Sequence, residues 1–310
     1  MATITAKAVA ELRAKTGCGM MDCKKALTAT EGNFDEAIKF LREKGLAVAA
    51  KKADRIAAEG IVDIMLSEDG KSAAMIEVNS ETDFVAKNAT FQQFVKDILA
   101  TILAKRPADL PALLACSLNG SEMTVEAALK DMIFKIGENM SIRRFMIADG
   151  IMSTYIHGKG QTGVIVVVNA DDAAVNHEGF KEAIKNVALQ VAAMNCLYVN
   201  KEAVPQAAID EEKEVLIKQI QNDPANAKKP AAIIEKMVVG RLGKFYETYC
   251  LSEQKYVKDD SVTVNGYLKQ CAKEFGGNIE LVNFYRYEKG EGLQKREDNF
   301  AEEIANMVKK

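Results

Sequence analysis

Apolar residues recur at helical spacing three times near the start of the chain: Val9 with Leu12, then Met20, Cys23 and Leu27, then Phe34, Ile38 and Leu41. Gly17 closes the first set, and Asn33 followed three residues later by Glu36 is a capping-box start for the third. The pattern predicts three short helices from Thr5 to about Lys51, a bundle that is marginal alone and of a size common in docking modules. "AVAAKKADRIAA", from Ala47 to Ala58, favours helix by propensity and reads as a connector. After Gly60 the periodicity becomes that of strands: "IVDIML", a turn "SEDGKS" and "AAMIEVN" predict a hairpin. A helix follows from about Thr90 to Ala104, with Phe91, Phe94, Val95 and Ile98 on one side.

The arrangement then repeats. Gly60 opens the first hairpin and Asn79 closes it; Gly150 opens "IMSTYIHGKGQTGVIVVVN" and Asn169 closes it at the same spacing. Each is followed by a phenylalanine that begins an amphipathic helix, Phe91 and then Phe180, which implies a duplicated strand-strand-helix unit. Between the copies lie a less regular stretch with Pro107 and Pro111 and a helix near Val125 to Ile136. From Pro205 to Cys250 two helices with narrow apolar stripes, joined by "NDPANAKKP", predict an antiparallel, coiled-coil-like hairpin standing away from the core. A helix from Tyr267 to Phe275 and the alternating strand "IELVNFYRY" return to the body. The tail from Asp298 to Lys310 is a short amphipathic helix with Phe300, Ile304 and Val308 on one face, which either packs back on the body or grips a partner. The class is α+β in several units.

One stretch resists this scheme. In "EVNSETDFVAKN" a strand pattern breaks into polar residues, and then Asp83, Phe84 and Val85 stand together where a turn is expected. An apolar side chain in such a place gains nothing unless it folds onto the core or meets another surface. At the same junction the second copy reads "ADDAAVNHEG", small and polar, so the repeated unit does not itself require an aromatic.

Composition narrows the functional classes. The 310 residues are 48% hydrophobic and 27% charged, with a net charge of -3 and a pI near 5.7, which argues against nucleic acid as a direct ligand. No run approaches the ~18 apolar residues of a membrane span, and the N-terminus becomes amphipathic at once, so a cytoplasmic protein with no membrane attachment is expected. Six cysteines scattered through apolar surroundings read as free thiols. His157 and His177 lack partners at metal-ligand spacing, there is no phosphate-binding Gly-rich loop, and "GKGQTG" at 158–163 sits where a hairpin turn needs φ > 0. Lys24 and Lys25, like Glu302 and Glu303, read as solvated helix faces. No catalytic residues, metal site or cofactor are expected.

Five segments, "ELRAKTGCGMMDCKKAL" (11–27), "EVNSETDFVAKN" (77–88), "KIGENMSIRR" (135–144), "HGKGQTGVIVVV" (157–168) and "EKMVVGRLGKF" (235–245), are similar, in order and across essentially the whole chain, to the signatures of the translation elongation factor Ts family. The resemblance implies a guanine-nucleotide exchange factor for elongation factor Tu, the GTPase that carries aminoacyl-tRNA to the ribosome. Such a factor is not an enzyme, and the Mg²⁺ and GDP or GTP belong to the partner. It also implies a ubiquitin-associated-like three-helix domain with its connector over 1–56, and two similar subdomains with small antiparallel sheets over 57–149 and 150–292. The helical hairpin would be inserted at about 204–250, and a C-terminal helical module would cover 293–310.

By the same resemblance Asp83 and Phe84, flanked by Thr82 and Val85, enter the GTPase near its Mg²⁺ and nucleotide as an exchange wedge. Leu12, Met20 and Met21 match docking positions of the N-terminal domain, where each is either contact or bundle core. His157, with Gly158 beside it, matches an interface position of the second subdomain, its alternative being an exposed turn residue. Phe300 and Ile304 match a C-terminal contact with a further domain of the partner. A docking scaffold for some other protein would leave "TDFVAKN" unexplained, and a metabolic enzyme would need a site that the sequence lacks.

Overall fold

In the computed structural model, residues 4–224 and 229–294 are described; the expectations placed on Phe300 and Ile304 lie outside them. Helices α1 (Ala6–Thr16) and α3 (Phe34–Lys52) start at side-chain acceptors, whereas α2 (Met20–Ala29) follows Gly19 with no side-chain cap. The Thr5 hydroxyl accepts the Ala8 N–H at 3.2 Å, and Asn33 Oδ1 accepts the Asp35 and Glu36 N–H groups at 3.1 and 3.3 Å. Val9, Leu12, Cys18, Cys23, Leu27 and Leu41 form the buried centre of this bundle. Helix α3 runs on through the first half of the segment read as a connector, as far as Lys52, and residues 53–58 lie beyond it. A Cβ at Gly45 would lie 3.4 Å from Phe134 Cβ, an ordinary contact distance, so α3 rests directly on α7 (Val125–Ile136).

Strands β1 (Glu59–Leu66), β2 (Ser72–Ser80) and β3 (Met140–Asp149) form one antiparallel sheet with β2 in the centre. Strands β4 (Ile151–His157), β5 (Thr162–Ala170) and β8 (Ile279–Glu288) form a second, with β5 in the centre. The remaining elements are the single turn α4 (Asp83–Ala86), α5 (Ala89–Lys105), α6 (Leu110–Ala115), α8 (Asp172–Val175), α9 (Phe180–Ala193), α10 (Gln206–Asn222), α11 (Ala231–Tyr249), the pair β6 (Lys255–Tyr256) and β7 (Asp259–Thr263), and α12 (Val264–Phe275). Among the described residues the fold is therefore α+β, with small antiparallel sheets. Leu216, Ile220 and Val238 join α10 to α11 in an apolar cluster of their own.

Period-two alternation divides β2 between two cores. Ala74, Ile76 and Val78 point into the cluster containing Phe91, Ile98 and Ile102 of α5, whereas Ala73 and Met75 meet Ile165 and Val167 of the second sheet. The two sheets approach closely at Gly163, where a Cβ would fall 2.6 Å from Val62 Cγ1 and 3.1 Å from Met75 Sδ. The turn before β5 reinforces the contact, since the Gly160 carbonyl accepts the Val62 N–H at 2.8 Å.

Strand β3 was not foreseen, because "SIRR" carries adjacent arginines instead of an alternating pattern. Its reason lies across the ladder. Glu77 of β2 is fully buried between the sheets; Arg143 Nη1 reaches its Oε1 at 3.0 Å, Arg144 Nε its Oε2 at 2.6 Å, and the Gly290 N–H its Oε1 at 2.8 Å. Burial by itself pushes this carboxyl upward, but the Gly290 N–H, Arg143, Asn79 and Arg144 together hold it below the usual glutamate range. A depressed carboxyl contributes stability that is fully present above the ordinary glutamate range and is lost as pH falls through the lowered value.

Two predictions follow from this packing. Gly163→Val should lower the thermal midpoint, with an overpacking cost of ~1–3 kcal/mol; an unchanged midpoint would mean that the sheets do not meet there. Glu77→Gln strands two arginines and should destabilise by ~3–5 kcal/mol near neutral pH. The gap between wild type and variant should shrink as unfolding is repeated at successively lower pH below the ordinary glutamate range, as the wild-type carboxyl gains its proton.

Candidate functional site

Beyond β2 the chain is held by polar contacts to the segment that follows α7. The Thr82 N–H and hydroxyl donate to Glu138 Oε2 and Oε1 at 3.0 and 2.8 Å, and the Ser80 hydroxyl donates to the Thr82 carbonyl at 2.9 Å. Glu81 accepts the Asn139 N–H at 2.6 Å, while the Asn139 amide holds the Ala53 and Arg55 carbonyls at 3.2 and 2.8 Å. Gly137, left-handed at φ 87°, ends α7 and turns Glu138 and Asn139 toward these groups. The segments 77–88 and 135–144, read apart in the sequence, are thus one constellation.

On this anchor stands α4, a helical turn where only a turn was expected. Its side chains divide sharply. Val85 is 4% exposed and belongs to the α5 core, whereas Phe84 is 77% exposed. The second sheet is followed by the same device: α8 buries Ala174 where α4 buries Val85 and leaves Ala173 at the surface where α4 has Phe84. The fold therefore uses the inward position, and the outward one is unconstrained by packing. Of the two alternatives open for Phe84, the core is excluded; Val85, grouped with it as a contact residue, is instead its buried foot.

Lys87 shapes the exposed pair. Its Nζ lies 2.6 Å from Asp83 Oδ2 and 5.7 Å from the centroid of the Phe84 ring. The hydrogen bond and charge of Lys87, with a further contribution from Lys289, hold the Asp83 carboxyl below the usual aspartate range.

The other sequence-marked residues lie on the helical bundle and on the second sheet. Met20 and Met21, at the start of α2, are 48% and 64% exposed, while Leu12 is wholly inside the bundle and offers no side-chain surface. Their loop abuts the C-terminal end of α7, since a Cβ on Gly17 would lie 3.4 Å from Lys135 Cε, close in sequence to Glu138. His157 is exposed at the end of β4 with its Nδ1 3.1 Å from the Tyr155 hydroxyl, and Gly158 and Gly160 take the expected positive φ of 60° and 98°. That turn connects back through Gln161, whose carbonyl accepts the Lys289 N–H at 2.9 Å, and Lys289 is the cation that also acts on Asp83. Sequence reasoning missed Glu138, Asn139 and Lys289. The available signal was a helix-ending glycine followed at once by two polar residues that the family-like segment retains.

Among the described residues no group of three or more His, Cys, Asp or Glu is placed to hold a metal ion, and no helix is long and apolar enough to cross a membrane. The cysteines there are free thiols; burial pushes Cys196 up to about 12 and Cys250 up to about 11, so both stay protonated at neutral pH.

The family model described as Elongation factor TS matches residues 81–291, beginning at the Glu81–Thr82 anchor. The chain is 48% identical over 313 aligned residues to Elongation factor Ts of Clostridioides difficile (strain 630), with all of both proteins covered. It is 46% identical over 310 residues to Elongation factor Ts of Clostridium botulinum (strain Eklund 17B / Type B), covering 99% of this chain and 100% of that protein. Elongation factor Ts of Symbiobacterium thermophilum is likewise 46% identical over 313 residues, with 99% of each covered. Similarity of this extent, running through both the anchor and the exposed turn, means that the chain belongs to the elongation factor Ts family.

Proposed function

We propose that this protein is the guanine-nucleotide exchange factor of elongation factor Tu in translation elongation. It binds the GDP-bound GTPase, loosens its Mg²⁺ and phosphate site with the Asp83–Phe84 pair, and promotes GDP release so that GTP can bind. The observation that carries this reading is Phe84, a ring 77% exposed on a backbone pinned by Glu138. A rigidly presented aromatic anchor loses little freedom on binding and gains the burial of its ring.

In this reading the ring displaces the elements that hold the metal, and the weakened metal site relaxes the grip on the β-phosphate. Asp83 orients the contact by hydrogen bonding, Thr82 transmits the anchoring from Glu138, and Val85 keeps the turn seated. Met20 and Met21 dock the N-terminal bundle on the GTPase with adaptable thioether side chains, and Leu12 holds that surface in shape from inside. His157 and Gly158 extend the interface from the second sheet, and Phe300 and Ile304 touch a further domain of the partner. No covalent change occurs and the factor carries no cofactor of its own; nucleic acid and membrane take no part, and the cytoplasm is the site of action. The ubiquitin-associated-like domain, two similar subdomains, inserted hairpin and C-terminal module belong to the same proposal, with boundaries at 1–56, 57–149, 150–292, about 204–250 and 293–310.

Two ligands of one GTPase are then coupled: if the factor weakens nucleotide binding, nucleotide weakens factor binding by the same ratio. The deciding experiment is release of fluorescent GDP from a bacterial elongation factor Tu, alone and with this chain. Phe84→Ala should lower the stimulated release by roughly 30-fold, the equivalent of ~2 kcal/mol for an aromatic anchor, with an unaltered melting temperature. Glu138→Ala should reduce stimulation less, because the ring remains but its backbone loses two hydrogen bonds. A folded chain that leaves GDP release unchanged would defeat the exchange reading and favour a docking scaffold.

A further inference from the structure

A notch of about 390 Å³ opens at the base of the α10–α11 hairpin, where the chain leaving α9 meets the first turns of α10 and the end of α11. Three half-buried aromatic residues line it, Tyr198, Phe245 and Tyr249. The Phe245 ring links them: its centroid lies 5.0 Å from that of Tyr249 at 57° and 6.5 Å from that of Tyr198 at 39°. Rings tilted in this way do not cover one another as stacked rings would, so part of each π-face stays available. The backbone fixes the walls, since the Leu197 and Tyr198 N–H groups both donate to the Tyr249 carbonyl, at 2.9 and 3.1 Å. Leu197 and Val215 add apolar surface to the lining at 56% and 42% exposure.

Charge decides what such a notch accepts. Glu211 and Glu212, on the second turn of α10, line it, and no lysine or arginine does. Among the described residues neither carboxylate belongs to an ion pair, and the neighbouring cations are engaged elsewhere: Lys213 with Asp210 at 3.6 Å, Lys201 with Glu253 at 2.7 Å and Lys244 with Glu247 at 2.7 Å. Carboxylates beside aromatic faces attract a cation twice over, through its charge and through the ring quadrupole. The chain uses this pairing itself one residue along. Lys201 Nζ lies 5.7 Å from the centroid of the Tyr246 ring while Glu253 holds it from the other partner atom, so ring and carboxylate there share the chain's own lysine. The Phe245 side offers ring and carboxylate to a cation from outside. A purely apolar occupant would gain the rings but bury the two carboxylates against itself, whereas a long cationic side chain can lay its methylene stem on Leu197 and Val215 and keep its head at the charges.

We propose that this notch binds an arginine or lysine side chain presented by a partner protein, its head against the Phe245 and Tyr249 rings and the Glu211 and Glu212 carboxylates. Arginine suits it better, because a planar guanidinium stacks on a ring and donates to a carboxylate at the same time. An arginine seated among aromatic side chains is a recurrent anchor of protein interfaces. The site stands on the hairpin base alone and does not rest on the exchange reading, in which none of these residues takes part.

Methyl-detected NMR of the full-length chain, titrated with N-acetylarginine amide to about 0.1 M, tests it. The Leu197 and Val215 methyl signals should move along one saturable isotherm. N-acetylcitrulline amide, of nearly the same shape without the charge, should bind roughly tenfold more weakly. Glu211→Gln combined with Glu212→Gln, which keeps the size of both side chains, should weaken the arginine response roughly fivefold, and Phe245→Leu should do the same with the remaining methyl signals in place. Saturation absent from the wild type, an equal response to the citrulline compound, or binding that survives the glutamine pair would overturn the proposal. A glycine-flanked arginine peptide should bind at least as well as the single residue; a response confined to the single residue would make this a site for small cations and defeat the assignment to a partner protein.

Discussion

A single buried carboxylate organises the centre of this protein. Glu77 sits between two sheets with no access to water, and an unpaired charge there would cost several kcal/mol. Its neutralisation recruits two consecutive arginines from β3 and a backbone N–H from the segment after β8. Three parts of the chain far apart in sequence must therefore arrive together. The guanidinium groups then do further duty: Arg144 lies over the Tyr287 ring at 4.1 Å and reaches Glu291 at 3.1 Å, so the charged cluster also closes the edge where the second sheet meets the first.

The exposed turn depends on the same centre. Glu77 belongs to the strand that ends at Ser80, and Arg143 to the strand that starts just after Glu138 and Asn139. The ladder of β2 against β3 shifts by one residue at a bulge between Glu77 and Val78, and in the register beyond it, where Ser80 pairs with Met140, Glu138 falls opposite Thr82 and Asn139 opposite Glu81. The buried charge network and the bulge beside it thus brace the two strand ends that carry the surface aromatic and its anchor, which is the kind of support that a preformed contact requires.

Comparison of α4 with α8 separates what packing demands from what it permits. Both turns bury one apolar side chain under the first residues of a long helix, and both begin from a residue with a side-chain oxygen, Thr82 or Asp171. Only the outward position differs in kind, phenylalanine in one and alanine in the other. A ring kept in water at one of two equivalent sites has no structural explanation within the chain, and that asymmetry is the most direct physical sign of a contact site on its surface.

Much of the secondary structure was legible in the sequence, because each such element has a local cause. Helical periodicity, the Asn33 cap, the glycines at 158 and 160, and the alternation of "AAMIEVN" and "IELVNFYRY" act within a few residues of chain. The oddity of Phe84 was legible too, as an apolar residue in a polar junction. Its exposure was not, since Phe84 and Val85 are adjacent apolar residues and only the placement of α5 decides which one faces inward. Leu12 and Met20 were indistinguishable for the same reason: helical spacing marks a stripe, and the third dimension decides which part of it the bundle covers. Strand β3 and the Glu138 anchor were hidden because their partners lie dozens of residues away, and charge compensation across a sheet leaves no periodic trace. The sequence by itself determined the local elements and the family-like segments. The tertiary structure alone decided which of those side chains meet, because burial and long-range pairing are properties of the assembled chain.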